Sequence, residues 1–238
     1  MRFTQLNNTT PMPKTIKPAA TVVIVREQDA GLEVLLLERN SKLDFAASAW
    51  VFPGGKVEKY EMDQAQGDVF SASQIAVCRE AKEETGLTVD KDEIVAISHW
   101  TTPDFRTKRF ATQFFIGKVD ANAEITVDGS EIIGFKWLTP TQAIEDHKDG
   151  KLSMMAPTLV TLSDIERHPS FTDLIAYFKA RLSPIYAPRV NMISRNEGVF
   201  LYSGDSGYED NKPELRKQLN RCEMRKGIIE HFNNLDAS

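Results

Sequence analysis

The chain has 238 residues, and its 41% hydrophobic content is enough to bury the core of one large domain or two small ones. Its formal net charge of −5 argues against a general electrostatic grip on a nucleic acid polymer, because such binding requires lysine and arginine to neutralise phosphates. The two cysteines, Cys78 and Cys222, lack metal-ligand spacing and indicate free thiols in a reducing compartment rather than a disulfide scaffold.

Residues 1–17 are a polar lead rich in Thr, Asn and Pro, which we interpret as a flexible N-terminal arm. This lead lacks the apolar centre of a secretory signal, and no later stretch approaches the roughly 20 apolar residues of a membrane span. We therefore expect a cytoplasmic protein with no membrane partner.

The first regular elements are predicted to be strands. The β-branched and leucine-rich runs Thr21–Arg26 and Leu32–Glu38 flank a turn that contains glycine, which is typical of a hairpin. Trp50–Phe52 is predicted to be a third strand, and it stops at Pro53-Gly54-Gly55, where proline and paired glycines impose a special backbone path.

A helix is predicted at about residues 72–85. Ser71 and Gln74 have the spacing of a capping box, apolar residues follow at helical positions, and Gly86 stands where a C-terminal cap belongs. Three further strands are predicted at Ile94–Trp100, Phe110–Val119 and Ile132–Leu138. A short helix is predicted to begin at Thr139-Pro140 and to run through about His147. These elements complete a mixed α/β region over residues 18–150.

The segment 151–238 is predicted to be a mainly helical C-terminal extension that packs on the first domain. Its clearest helical stretches are Thr158–Ile165 and Phe171–Leu182, two strands are predicted within Val190–Tyr202, and a charged terminal helix is predicted over Pro213–Phe232.

The most informative segment is the acidic end of the first helix. Glu80, Glu83 and Glu84 stand at relative positions 0, 3 and 4, so they point from one helix face and repel one another. The C-terminal end of the helix dipole disfavours these anions further. A divalent cation would reverse the sign of both effects, and magnesium is a hard ion that prefers carboxylate and carbonyl oxygens.

The alternative interpretation of this segment is a solvated charged helix face, partly neutralised by Arg79 and Lys82. The upstream context favours a metal site, because Gly54-Gly55 ends a strand and allows a backbone carbonyl to approach the same cation. That glycine pair is also compatible with a simple tight turn.

The segment from Arg79 to Leu87 resembles the Nudix hydrolases, whose motif is G-x5-E-x7-R-E-U-x-E-E-x-G-U, where U is aliphatic. The second half of the motif is complete, and Gly55 and Glu61 keep the G-x5-E spacing. Seventeen residues rather than seven separate Glu61 from Arg79, so the motif contains an insertion of ten, and Glu58 or Asp63 could take the place of Glu61. The resemblance implies an α/β/α sandwich with a mixed sheet.

The resemblance also implies a function and roles for residues. It implies a hydrolase that cleaves diphosphate bonds with Mg²⁺ or Mn²⁺. Glu80, Glu83 and Glu84 would bind the metal together with the carbonyl of Gly55, and either Glu80 or Glu83 would act as the base. Arg79 would orient a glutamate, and Glu131 is our candidate for a further acid from outside the motif.

Further matches lie in the insertion and in the runs Trp100–Pro103, Arg109–Phe115, Trp137–Pro140 and Pro157-Thr158. In these segments the chain resembles the branch of the family that contains the peroxisomal coenzyme A diphosphatase and its bacterial relatives. That branch implies coenzyme A or an acyl-CoA as substrate, although the histidine of its short coenzyme A motif is replaced here by Ala46. Our candidates for substrate binding are Arg39, Arg106, Arg109 and Phe105. Trp100 could stack on an adenine ring or belong to the core.

Two other hypotheses compete with the enzyme. The first is a catalytically silent Nudix-fold sensor or scaffold that binds a nucleotide, and the second is an acidic α/β protein with a coincidental motif. The sequence leaves open the number of metal ions, the identity of the base and whether the chain forms a homodimer.

Overall fold

The computed structural model describes residues 15–29, 31–42, 48–127 and 129–235. The predicted hairpin is confirmed: β1 (Ile16–Gln28) and β2 (Gly31–Arg39) are antiparallel, with Val25 opposite Val34. β1 begins earlier than expected, because Ile16 and Lys17 pair with the start of a neighbouring strand. Residues 1–14 of the predicted arm lie outside the described residues.

Two short strands bring the Gly54-Gly55 turn onto the hairpin. β3 (Trp50–Val51) pairs with β2, and β4 (Gly54–Lys56) pairs with β1 so that Gly55 lies opposite Ala20. β1 thus contacts β2 near its C-terminal end and β4 near its N-terminal end, which fixes the glycine turn at the middle of the sheet.

The remaining strands of this sheet are β5 (Val95–Thr101), β6 (Arg109–Lys118), β7 (Ile132–Leu138) and β8 (Ile185–Tyr186). β6 runs parallel to β1, β5 is antiparallel to β6, and β7 is antiparallel to β2. The described residues form an eight-stranded sheet with parallel and antiparallel pairs, so the predicted mixed sheet is confirmed.

Helices α1 (Lys59–Gln64) and α2 (Val69–Thr85) follow β4. α2 begins earlier than predicted, since the carboxylate of Asp68 accepts the backbone N–H of Ser71 and serves as the N-cap. It ends where predicted, at Gly86, whose φ of +75° is a left-handed conformation that favours glycine. Small residues on one face of α2, Ala72, Ala76, Val77 and Ala81, are buried.

The sheet has a hydrophobic core on each side. α2 packs on the face that presents Val22, Ile24 and Phe115. The opposite face, with Ile97 and Trp100, is covered by three further helices, α3 (Pro140–Lys148), α4 (Ala156–Ile165) and α5 (Phe171–Ala180). This arrangement is the expected α/β/α sandwich. Within the described ranges, every helix falls short of the length and apolarity that a membrane crossing requires.

The predicted terminal helix over 213–232 is wrong, and the extension is less helical than expected. Its last part forms a four-stranded antiparallel sheet of β9 (Arg189–Ser194), β10 (Glu197–Leu201), β11 (Asn220–Arg225) and β12 (Ile228–Asn233). β11 and β12 are joined by Lys226-Gly227, both with positive φ (52° and 84°), which is the geometry of a tight hairpin turn. Two charged residues of this segment, Arg221 and Glu223, are buried in β11.

Arg221 on β11 explains why this charged strand is inside. It is fully buried and makes two hydrogen bonds to Asp205, from Nε at 2.7 Å and from Nη2 at 2.6 Å. Tyr202, Cys222 and Ile229 belong to the same hydrophobic core as Trp100. The second sheet therefore packs on the side of the first sheet that α3, α4 and α5 cover.

Candidate metal and substrate site

The site is organised around the close contact of Gly55 with Glu80. A Cβ atom on Gly55 would lie 2.1 Å from Oε1 and 2.5 Å from the carboxyl carbon of Glu80, so only glycine leaves room for this carboxylate. Gly54 is equally restricted, because a Cβ there would lie 2.4 Å from the carbonyl oxygen of Ala20. The glycine pair is thus more than a tight turn, since it admits a helix carboxylate to the edge of β4.

Glu84 lies one turn further along α2 and is buried. The backbone N–H of Gly54 donates to its Oε2 at 2.9 Å. Burial, more than the repulsion from Glu80, raises the pKa of Glu84 to about 8, and the bond from Gly54 offsets only part of this effect. The pKa of Glu80 is also raised by burial, against the opposing charge of Arg79. Two carboxylates that resist ionisation therefore meet the same glycine turn.

Arg79 connects the acidic side chains of this region. Its Nε donates to Oε1 of Glu61 at 2.8 Å, while Nη1 lies 2.8 Å from Oε2 of Glu83 and 2.9 Å from Oε1 of Glu80. Its Nη2 donates to the carbonyl of Lys56 at 3.2 Å, which ties α2 to the end of β4. Burial alone would lower the pKa of Arg79, but these acidic partners raise it above its usual value.

Glu61 reaches Arg79 despite the ten-residue insertion. It is fully buried, and its Oε2 accepts the backbone N–H of Glu58 at 2.7 Å as part of the capping box of α1. The inserted residues are taken up between Glu61 and Arg79 by the rest of α1 and the first turns of α2. The alternatives Glu58 and Asp63 are both exposed, so the geometry selects Glu61 as the partner of Arg79.

The other predicted ligands differ in position. Glu83 has 59% of its side chain exposed and faces Arg79. Glu131 is also exposed and lies 3.9 Å from Nη2 of Arg39. Its charge contributes to the raised pKa of Glu84, whereas the charge of Arg39 opposes that rise. In the part of the chain that the structure describes, no group of three acidic, His or Cys side chains is already arranged around one point. Arg79 accounts for this, since it holds Glu80 and Glu83 in ion pairs.

The predicted substrate-binding residues do not lie around one site. Arg39 lies at the end of β2, next to Glu131, and its charge lowers the pKa of Glu84. Arg109 instead lines a cavity of about 410 Å³ that no residue of α2 lines. Phe105 is 49% exposed and lies under the guanidinium of Arg106, 5.2 Å away.

Trp100 belongs to the core rather than to a base-stacking site. It is buried and stacks on Tyr186, with ring centroids 4.0 Å apart. Ala46, at the histidine position of the coenzyme A motif, lies outside the described residues.

Sequence reasoning missed the residues with which the C-terminal extension lines the same cavity, Arg189, Tyr208 and Asn211. The sequence carries no motif for them. Two strands of their sheet were predicted within Val190–Tyr202, but β11 and β12 were predicted as a helix. The turn at Lys226-Gly227, with alternating Cys222 and Met224 before it and Ile228-Ile229 after it, was the available signal for β11 and β12.

Residues 15–156 match the NUDIX domain. An acyl-coenzyme A diphosphatase of Xenopus laevis is 23% identical over 62% of this chain, and a putative nudix hydrolase of Caenorhabditis elegans is 24% identical over 74%. The matches span 63% and 70% of those proteins, respectively.

A solved structure supports the fold independently. The NUDIX hydrolase from Alicyclobacillus acidocaldarius superposes with a TM-score of 0.61 at 21% identity, over 71% of this chain and 98% of that chain. At this identity the similarity concerns the fold alone. The domain match covers more than half of the chain and includes the glycine turn, Glu61 and the three glutamates of α2. The chain therefore belongs to the Nudix family.

Proposed function

We propose that this chain hydrolyses a diphosphate bond in a nucleoside diphosphate-linked substrate with the help of Mg²⁺ or Mn²⁺. The observation that carries the proposal is the position of Glu80 and Glu84, two carboxylates one helical turn apart that are held against the backbone of Gly54-Gly55. The similarity to a relative named as an acyl-coenzyme A diphosphatase makes coenzyme A or an acyl-CoA our first candidate substrate.

The donor set fits a hard divalent cation. Glu80 and Glu84 offer carboxylate oxygens, and both have raised pKa values because burial penalises their charge. A bound cation would offset this penalty, which is the usual reason to retain carboxylates in such a place. Glu83, Glu131 and the carbonyl of Gly55 complete the proposed ligand set. When bound, the cation would neutralise substrate phosphates and lower the pKa of a bound water.

Arg79 has a positioning role in this proposal. Its bond to the buried Glu61 anchors the guanidinium, and its remaining nitrogens hold Glu80 and Glu83 near each other. Glu83 is the most exposed of the three glutamates. Breaking its ion pair with Arg79 to bind a different partner therefore costs little free energy.

Glu80 is our preferred general base, with Glu83 as the alternative. Its carboxylate is partly buried and lies against Gly55, whereas the carboxylate of Glu83 is exposed. We assign Arg39, whose charge acts on Glu84, to the binding of a substrate phosphate. We further propose a cytoplasmic location, and a division near residue 150 between the Nudix domain and the extension.

The test is a substrate panel of coenzyme A, NADH, ADP-ribose and nucleoside triphosphates, incubated with and without Mg²⁺, with product identification. Wild type should cleave at least one compound only when the cation is present. Glu80→Gln and Glu83→Gln should each lose at least about 100-fold in kcat, while Glu93→Gln, an exposed glutamate beyond α2, should match wild type. Tight binding without cleavage of any compound would instead support the silent sensor.

A further inference from the structure

The cavity of about 410 Å³ is separate from the glutamate site and has two walls. One wall comes from the ends of β5 and β6, with Thr101, Thr102 and Arg109. The other comes from the C-terminal extension, with Arg189, Tyr208 and Asn211. The volume is typical of sites for small organic molecules and exceeds what a lone inorganic ion needs.

The charge of the lining favours an anion. Two arginines, Arg109 and Arg189, face a single carboxylate, Asp104, whereas the whole chain has a net charge of −5. The Nε of Arg109 donates to the carbonyl of Thr102 at 3.0 Å, and among the described residues its two Nη atoms have no hydrogen-bond partner. These nitrogens form the planar fork that binds phosphate oxygens in pairs.

The wall from the extension is held in place by its own contacts. The guanidinium of Arg189 lies 4.8 Å from the ring centroid of Tyr208, its Nη1 donates to the carbonyl of Glu209 at 2.7 Å, and its Nη2 lies 3.7 Å from the exposed carboxylate of Glu209. The hydroxyl of Tyr208 donates to the carbonyl of Ala187 at 2.9 Å, and Nδ2 of Asn191 donates to Oδ1 of Asn211 at 2.7 Å. Such a preorganised wall reduces the entropy lost when a ligand binds.

The buried Asp205–Arg221 pair anchors the loop that carries this wall. Asp205 accepts the backbone N–H groups of Gly207 and Asn220, and Arg221 also donates to the carbonyls of Pro213 and Leu215. The segment around Tyr208 is thus fixed at both ends by one ion pair. The C-terminal extension therefore forms one wall of the cavity in addition to covering the core.

We propose that this cavity binds a phosphate monoester, and that the phosphate is part of the substrate and lies away from the diphosphate that is cleaved. The second statement rests on the proposed function, whereas the first does not. Arg109 on one wall and Arg189 on the other supply two guanidinium groups, whose N–H groups suit the several oxygens of a dianionic phosphate. The volume beyond them accommodates the group to which the phosphate is attached.

Binding of inorganic phosphate tests the site without any catalysis. Titrations followed by ³¹P NMR in the presence of EDTA should give the same affinity for wild type, for the inactive Glu80→Gln and for Arg195→Gln, an exposed arginine elsewhere on the extension. Arg109→Gln and Arg189→Gln should each weaken binding by at least about ten-fold. Unchanged affinity in both variants, with melting temperatures equal to that of wild type, would overturn the site.

Kinetics with coenzyme A and 3′-dephospho-coenzyme A distinguish the substrate from a separate ligand, because the two compounds differ by one phosphate monoester. Arg109→Gln should raise KM at least about ten-fold for coenzyme A and leave KM for the dephosphorylated compound and kcat for both unchanged. Lost phosphate binding with wild-type KM for both compounds would overturn the substrate assignment and leave a site for a separate phosphorylated ligand. Absence of cleavage by wild type would overturn the proposed function and, with it, the substrate assignment, while the NMR titration still decides the cavity.

Discussion

Replacement of Gly55 by alanine tests whether the position of Glu80 matters. The new Cβ would lie 2.1 Å from Oε1 of Glu80, and an ordinary contact needs at least 3.4 Å, so the carboxylate must retreat by about 1.3 Å. The φ of Gly55 is not positive, so the backbone itself accepts alanine. The substitution therefore acts on Glu80 and not on the fold of the turn.

Two magnitudes follow from this displacement. A shift of about 1 Å in a catalytic group costs on the order of 100-fold in rate, so kcat for the substrate identified in the panel should fall by about that factor. Overpacking costs about 1–3 kcal/mol of unfolding free energy. Because the clash is with Glu80, that cost should largely disappear when Glu80→Ala is also present.

The assay combines steady-state kinetics with urea unfolding of wild type, the two single variants and the double variant. Gly134→Ala is the matched control, since its Cβ would meet another glutamate, Glu38, at the milder distance of 3.2 Å from Oε2. A Gly55→Ala enzyme with kcat within three-fold of wild type would refute a catalytic role for the observed position of Glu80. Equal destabilisation with and without Glu80 would show that the clash lies elsewhere.

Three further predictions concern stability. Glu84→Gln should raise the unfolding free energy of the metal-free protein at pH 7 by an amount on the order of 2–3 kcal/mol, because it removes a buried carboxylate whose pKa is raised to about 8. The same substitution should abolish any rise in Tm on addition of Mg²⁺. A metal-free variant less stable than wild type would contradict this reasoning. Asp205→Asn should cost about 3–5 kcal/mol in urea unfolding, because it removes the closest acidic partner of the buried Arg221 and leaves only Glu223, 3.9 Å away, whereas Asp210→Asn at an exposed position should cost almost nothing. Burial lowers the pKa of His231 from 6.5 to about 4, so the unfolded chain binds more protons than the folded chain between these pH values. The unfolding free energy should therefore fall as the pH decreases through this window, by about 3 kcal/mol in total. His231→Phe should remove this loss between pH 7 and pH 4.5 in unfolding curves, and an unchanged dependence of the unfolding free energy on pH would exclude His231 as its source.

The sequence predicted the elements that local patterns specify. The hairpin, α2 with its stop at Gly86, and the strands through Leu138 follow from hydrophobic periodicity and turn residues. The Nudix resemblance added the sandwich, which the structure confirms. The start of α2 was misplaced because Asp68, rather than Ser71, supplies the capping oxygen.

Features that depend on distant partners could not be predicted. The burial of Arg221 depends on Asp205, sixteen residues away, so β11 was mistaken for a solvated helix. The contact of Glu61 with Arg79 could not be read across an insertion, because spacing along the chain says nothing of how the intervening residues fold back. Arg109 and Arg189 line one cavity only after the two sheets that carry them have packed.

The pairing of β1 with β6 sets the order in which this protein can assemble. Ile16 lies opposite Arg109 and Val25 opposite Lys118, so each pair closes a loop of 93 residues. During synthesis the first strand must wait, with one edge open, until the chain beyond residue 118 has left the ribosome. Non-local parallel pairing of this kind is slow and exposes apolar edges to other chains, so we expect refolding yields to depend strongly on protein concentration.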